Sequence, residues 1–151
     1  MNESGDVVEE VDVRQRFAVE VEYDLLDPRP SLRPMANLHF LNDQGVVLFV
    51  SGDHVNRDWY ETERTAGAVR ATCWIPGDLL NEGRVTVNAA VSSYDPTVVH
   101  ARENDAVSFM VVDKMVAGGA RGAHVRDYPG AIRPLLDWAV ETEATRDEVG
   151  S

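Results

Sequence analysis

The sequence predicts an all-β domain, a two-sheet antiparallel sandwich. Three observations predict it. Side-chain character alternates with period two in several separate runs, of which "FAVEVEYDL" and "GRVTVNAAV" are the clearest. Turn-forming clusters such as "DPRPSLRP", "NDQG" and "IPGD" separate those runs. No stretch carries the apolar spacing of a long amphipathic helix.

Taken in order, "FAVEVEYDL" sends Phe17, Val19, Val21 and Tyr23 inward and Ala18, Glu20, Glu22 and Asp24 to a wet face. The prolines that follow prevent regular pairing until "MANLHFLN", where Leu38 and Phe40 are the inward pair. "NDQG" is a tight turn, which makes "VVLFVS" the hairpin partner. Residues 52–67 lack a strand period and read as a long connection with a short helical turn around Trp59 to Glu63. Val69, Ala71, Cys73 and Ile75 face inward from the next strand, and Pro76-Gly77 ends it. Val85, Val87, Ala89 and Val91 face inward from the strand after that. "SYDPTVVHAREND" reads as a loop, and "AVSFMVVD" adds Val107, Phe109 and Val111 to the buried set. The count is six or seven short strands, which fits a sandwich.

This divides the chain into an acidic, partly ordered N-terminal segment (1–13), a sandwich domain (14–116), a glycine-rich hinge with a terminal strand or short helix (117–139) and an acidic tail (140–151). The terminal element carries Ile132, Leu135, Leu136 and Trp138 as an apolar set. A hinge before such an element permits exchange between two protomers.

Composition narrows the function. A chain of 151 residues suits one domain, burying roughly 70% of its unfolded surface. Asp and Glu outnumber Lys and Arg by 26 to 14, for a net charge of −12, so nucleic-acid backbones and anionic lipid are disfavoured partners. With Cys73 as the one cysteine, no intrachain disulfide forms, which agrees with a reducing compartment. No secretory signal is visible and no apolar run reaches the roughly 20 residues of a membrane span. The expectation is a soluble, cytoplasmic protein.

Catalytic and metal motifs are not found. His39, His54, His100 and His124 lack zinc-ligand spacing, and Cys73 has the phase of a core residue. Ser92 and Ser93 have no nucleophile elbow around them, and Asp53, Asp58, Asp95 and Asp105 do not form a calcium loop. "GGARG" is followed by a proline and a glycine where a phosphate-binding helix would run. The expectation is a non-enzyme that needs no cofactor and no metal.

The strand ending in "IP", the short turn ending in "LL", the glycine before "RVTVNAAV", the strand "VSFMVV" and the closing "G-x-IRPLLDW" resemble the carbohydrate-binding C-terminal domain of Wzt, the nucleotide-binding component of O-antigen ABC exporters. The resemblance spans residues 14–139. It implies an immunoglobulin-like sandwich that dimerises by exchanging its C-terminal strand, here "AIRPLLDW". It also implies a homodimer that recognises the end of an O-antigen-type polysaccharide at the inner face of the cytoplasmic membrane, with an ABC transporter ATPase and its membrane subunit as partners. This chain has no G-x-x-x-x-G-K-[ST] phosphate loop, so it is either a domain of a longer protein or an independent chain.

Sugar recognition needs planar polar groups that make paired hydrogen bonds and an aromatic platform. The outward strand positions supply Asn37, His39, Thr86, Asn88, Ser108 and Met110, with Arg70, Thr72 and Trp74 outward as well, on the same or the other sheet. Asn37, His39, Asn88, Trp74, Arg70 and Thr86 are therefore the candidate carbohydrate-binding residues. Trp74 has a second possible role under a partner's terminal segment, and Trp59 and Tyr60 are candidates for lining a cleft. The competing function is an immunoglobulin-like protein-interaction or dimerisation domain that binds no glycan.

Overall fold

The computed structural model describes residues 1–28, 33–93, 97–114, 118–120, 122 and 129–142. Seven strands and one short helix follow one another: β1 (Glu10–Asp12), β2 (Phe17–Leu25), β3 (Met35–Leu41), β4 (Val47–Gly52), a 3-10 turn (Asp53–Val55), α1 (Arg57–Glu61), β5 (Gly67–Ile75), β6 (Gly83–Ser93) and β7 (Val98–Val112). They form a β-sandwich of unequal layers. One sheet has the order β1-β7-β6-β3-β4 and the other consists of β2 and β5. All pairs are antiparallel except β1 with β7.

Period two builds the core as expected. Leu38, Phe40, Val85, Val87, Phe109 and Val111 face Phe17 and Ile75 across the interior. Two ring contacts tie it together: Phe17 meets Phe109 edge-on at 5.0 Å, and Phe40 stacks on Phe49 at 4.3 Å. A two-stranded sheet is marginal alone, so β2 and β5 owe their stability to this packing.

The turns follow local chemistry. Asn42 Oδ1 accepts from the amides of Gln44 and Val46 at 3.0 and 2.9 Å, and Gly45 takes the positive φ (76°) that closes the β3–β4 hairpin. After Pro76-Gly77 the chain passes so close to the N-terminal segment that a Cβ on Gly77 would sit 2.3 Å from the Arg14 carbonyl oxygen. Asp78, at φ 59°, is held there by two bonds: its amide donates to the Val13 carbonyl at 2.7 Å, and its carboxylate receives Arg14 at 3.0 Å. Arg14 also donates to the Gly118 carbonyl at 2.7 Å.

Four features differ from the sequence expectation. The sheet begins inside the segment read as an acidic extension, because Val11 and Val13 are buried while Glu9 and Glu10 stay in solvent. Residues 98–104, read as loop, are the first half of β7, which pairs with β6 from Ser93↔Val98 to Gly83↔Val111. Val107, expected inside, is 46% exposed although its partner in register, Val87, is completely buried. The helical turn begins at Arg57, two residues before the expected Trp59, because Asn56 caps it by accepting from the Trp59 amide at 3.1 Å.

The terminal segment forms neither strand nor helix within residues 129–142, apart from a bridge between Leu80 and Ile132. Its strongest attachment is at Arg133. The Arg133 amide donates to the Leu79 carbonyl at 2.7 Å, and its buried guanidinium reaches Asp113 and Glu82, each at 2.9 Å. Beyond that clamp the apolar residues face solvent: Leu136 is 63% exposed and Trp138 85%. The apolar set expected in the interior therefore lies outside this chain's own core. Residues 115–117, 121 and 123–128 of the glycine-rich hinge and residues 143–151 of the tail lie outside the described residues.

Candidate functional site

The outer face of the five-stranded sheet assembles four of the six candidates. On β3, residues with the parity opposite to Leu38 and Phe40 point away from the core, which selects Asn37 and His39. On β6 the same argument selects Thr86, Asn88 and Ala90. The register then sets the neighbours: His39 is directly opposite Asn88, Asn37 is opposite Ala90, and Leu41 is opposite Thr86. Directly opposed side chains have Cβ atoms about 5 Å apart, so Asn37, His39, Asn88 and Thr86 occupy one patch.

A bulge in β7 shapes that patch. Val87 pairs with Val107 but Ala89 pairs with Glu103, so β7 carries two additional residues opposite Asn88. Asp105 lies in this bulge at φ 52°, an unusual conformation for a side-chain-bearing residue. Its amide donates to Asn88 Oδ1 at 2.8 Å. That bond orients the Asn88 amide and leaves its NH2 as the group to meet a ligand. Asn37 is oriented with the opposite polarity, its Nδ2 donating to Ser92 Oγ at 2.9 Å and its Oδ1 left as an acceptor.

Arg102 joins the patch from β7, opposite Ala90, in the same row as Asn37 and Gly52. Ala90, the residue between Arg102 and Asn37 in that row, is small. Arg84 lies on the same face two positions before Thr86 and donates to Ser108 Oγ at 3.0 Å. Sequence reasoning passed over Arg102 because it lies in the stretch read as loop.

Arg70 and Trp74 do not join this patch. They belong to β5, in the other sheet, on the face turned away from the interior. Arg70 is engaged by Glu20 at 3.1 Å and Glu22 at 2.8 Å. The Arg16 guanidinium covers the Trp74 ring at 4.2 Å. A ligand on the outer face of the large sheet is out of their reach.

A cavity of about 710 Å³ lies elsewhere again. Its lining includes every residue of β5 from Gly67 to Trp74, together with Leu38, Gly52, Asp53 and Trp59. Because consecutive strand residues point to opposite faces, a cavity lined by all of them runs along the strand's edge. Among the described residues β5 pairs with β2 on one side only, and on the other no described strand lies beside it. This is the open side of the sandwich.

Its rim is rigid. Arg64 donates to the carbonyls of Trp59 and Thr62, each at 2.7 Å, and its guanidinium lies 3.8 Å over the Trp59 ring. Tyr23 donates to Asp53 Oδ2 at 3.2 Å. Burial raises the Asp53 carboxyl, opposed by hydrogen bonds from the Ala36 amide and Tyr23 and by the Arg64 charge. The same burial, reinforced by the Asp53 charge, raises the Tyr23 phenol. Trp59 lines this cavity as expected, whereas Tyr60 is exposed and stacks against Arg33.

No family model matches the chain, and no curated protein matches it. Among solved structures, the crystal structure of the C-terminal domain of Wzt superimposes with a TM-score of 0.66 at 12% identity, covering 94% of this chain and 79% of that one. At that identity the likeness is one of fold. No helix among the described residues is long and apolar enough to cross a membrane.

Proposed function

We propose that this chain is a non-catalytic carbohydrate-binding module that recognises the end of an O-antigen-type polysaccharide for ABC-transporter export. The observation that carries the reading is the patch of Asn37, His39, Thr86 and Asn88 on one open sheet face, on a fold like that of the Wzt domain. Two oriented amides, a hydroxyl and an imidazole offer the donors and acceptors that sugar hydroxyls require, on an open sheet face. The transporter's ATPase and membrane subunit are the corresponding partners, and the cytoplasm the corresponding compartment.

Asn88→Asp tests the site without disturbing the bulge, since the Oδ1 that receives the Asp105 amide is kept while the NH2 donor is lost. Titration of bacterial polysaccharides should show binding by the wild type and a loss of about tenfold or more in the variant, the size of one good hydrogen bond plus a repelled acceptor. Unchanged affinity would move the site elsewhere.

The same reading includes a homodimer formed by exchange of the terminal segment. Two features support it: a terminal segment whose Leu136, Trp138 and Val140 are left exposed by the described residues, and a cavity of mixed polar and apolar lining along the edge of β5. An added strand would satisfy the edge with main-chain hydrogen bonds and place alternate side chains in the cavity. Deleting residues 135–151 should convert a dimer to a monomer in light scattering at matched concentration. A truncated chain that still dimerises would exclude exchange of this segment. Dimerisation without binding to any glycan would favour the competing interaction-domain function.

A further inference from the structure

We propose that the cavity along the edge of β5 is a second ligand site, one that takes a neutral acetamido group such as an N-acetylated amino sugar carries. The inference rests on the glycan-binding reading above for its choice of a sugar as the carrier, and not for the site itself.

Two enclosed atoms point to a ligand. Asp53 Oδ1 and Trp59 Nε1 are buried, and neither finds a hydrogen-bond partner among the described residues. Both residues line the cavity. The other Asp53 oxygen is occupied, since Oδ2 receives the Tyr23 hydroxyl at 3.2 Å. The Trp59 ring is held by the Arg64 guanidinium, 3.8 Å over it. The carboxylate oxygen is an acceptor and the indole nitrogen a donor, and leaving either unsatisfied costs free energy. Ordered water would serve them, but the space alongside, about 710 Å³, is far more than water needs and lies within the range of small-molecule sites.

The walls select the ligand. Asp53 is a carboxylate on which the Arg64 charge acts, and Arg64 is 7% exposed. Together they leave no net charge to balance an ion, so a neutral group enters at the least cost. The remaining charged groups of the lining are satisfied elsewhere: Arg70 is engaged by Glu20 and Glu22, and Glu63 lies in solvent. Val21, Leu25, Leu38 and Val69 line the same space, which favours an apolar body beside the polar head. A bare hydroxyl would donate and accept but brings no apolar part. An acetamido group supplies an N–H for Asp53 Oδ1, a carbonyl for Trp59 Nε1 and a methyl for the aliphatic wall. Along the side of β5 where no described strand lies, main-chain groups are free to meet the ring hydroxyls. The terminal segment proposed above to be exchanged would lie along this same edge, so sugar and segment compete.

The test is heteronuclear NMR of the full chain, with the Trp59 indole N–H assigned by its loss in Trp59→Phe. N-acetylglucosamine should shift that resonance, whereas glucose and glucosamine should not. Asp53→Asn keeps a partner for Tyr23 but replaces the free acceptor with a donor, and Trp59→Phe keeps the ring without its N–H. Each should weaken N-acetylglucosamine about tenfold in ligand-detected NMR, the size of one hydrogen bond, and equal melting curves check the fold. A variant combining Leu136→Ser and Trp138→Ser, both at exposed positions, weakens the competing segment and should bind at least as tightly as the wild type. No response to N-acetylglucosamine in either chain, or equal responses to glucose, would overturn the site. N-acetylglycine methylamide separates the two sources of an amide: if it binds as tightly as the sugar, the cavity takes polypeptide and the sugar assignment falls. Silence at Trp59 while Asn88→Asp still abolishes polysaccharide binding would overturn this site and leave the glycan reading standing. Binding of no sugar at either place would overturn both.

Discussion

Phe40→Ala is expected to destabilise the domain by about 3–5 kcal/mol, the cost of emptying a large aromatic site in a core that relaxes only in part. Phe40 is completely buried, lies in the middle of β3 between β4 and β6, and stacks on Phe49 at 4.3 Å. Because domains of this kind hold roughly 5–15 kcal/mol in all, the variant should unfold at a much lower denaturant midpoint with an unchanged slope. Phe40→Leu should recover more than half of the loss by refilling most of the volume. A loss below about 1 kcal/mol for the alanine variant would mean that the sandwich interior is not closed at its centre.

Arg133→Ala should have a comparable effect through a different cause. The Arg133 guanidinium is 2% exposed and its bond to Asp113 joins it to a carboxylate that is 4% exposed. Removing one member of a buried pair costs about 3–5 kcal/mol, because the remaining charge keeps its desolvation without its counterion. The same substitution unpins the terminal segment, which is otherwise held by the Leu79 and Asp78 carbonyls. Two measurements separate these effects: chemical denaturation reports the loss of stability, and limited proteolysis reports release of residues 134–142. Adding Asp113→Asn to Arg133→Ala should return part of the stability by removing the buried charge. If the single variant is as stable as the wild type, the clamp has no energetic role.

The residues that the sequence made legible are those whose strand has one wet and one dry face. Alternation in β2, β3, β5 and β6 identified the inward residues, and on β3 and β6 the same parity put Asn37, His39, Thr86 and Asn88 outward. Parity does not say which sheet a strand joins, so Arg70 and Trp74 looked equivalent to the others although β5 belongs to the opposite layer. The first half of β7 escaped notice because both its faces are exposed, which erases the period. Arg102 was illegible for the further reason that a two-residue bulge sets its row, and no local propensity reveals that count. In β1, Val11 and Val13 were hidden among acidic neighbours. The terminal run around Trp138 was correctly apolar, but a pattern does not specify which molecule's interior it enters.

A roof of two strands over a floor of five leaves part of the interior covered by nothing in the chain's own sheets. Whatever seals that opening acts as a ligand of the native state, and the free energy of sealing adds directly to that of folding. Where that seal is a second protomer, as in the exchange proposed above, thermal midpoints rise with protein concentration, so assembly and folding obey a single mass-action law and dilution becomes a denaturing condition.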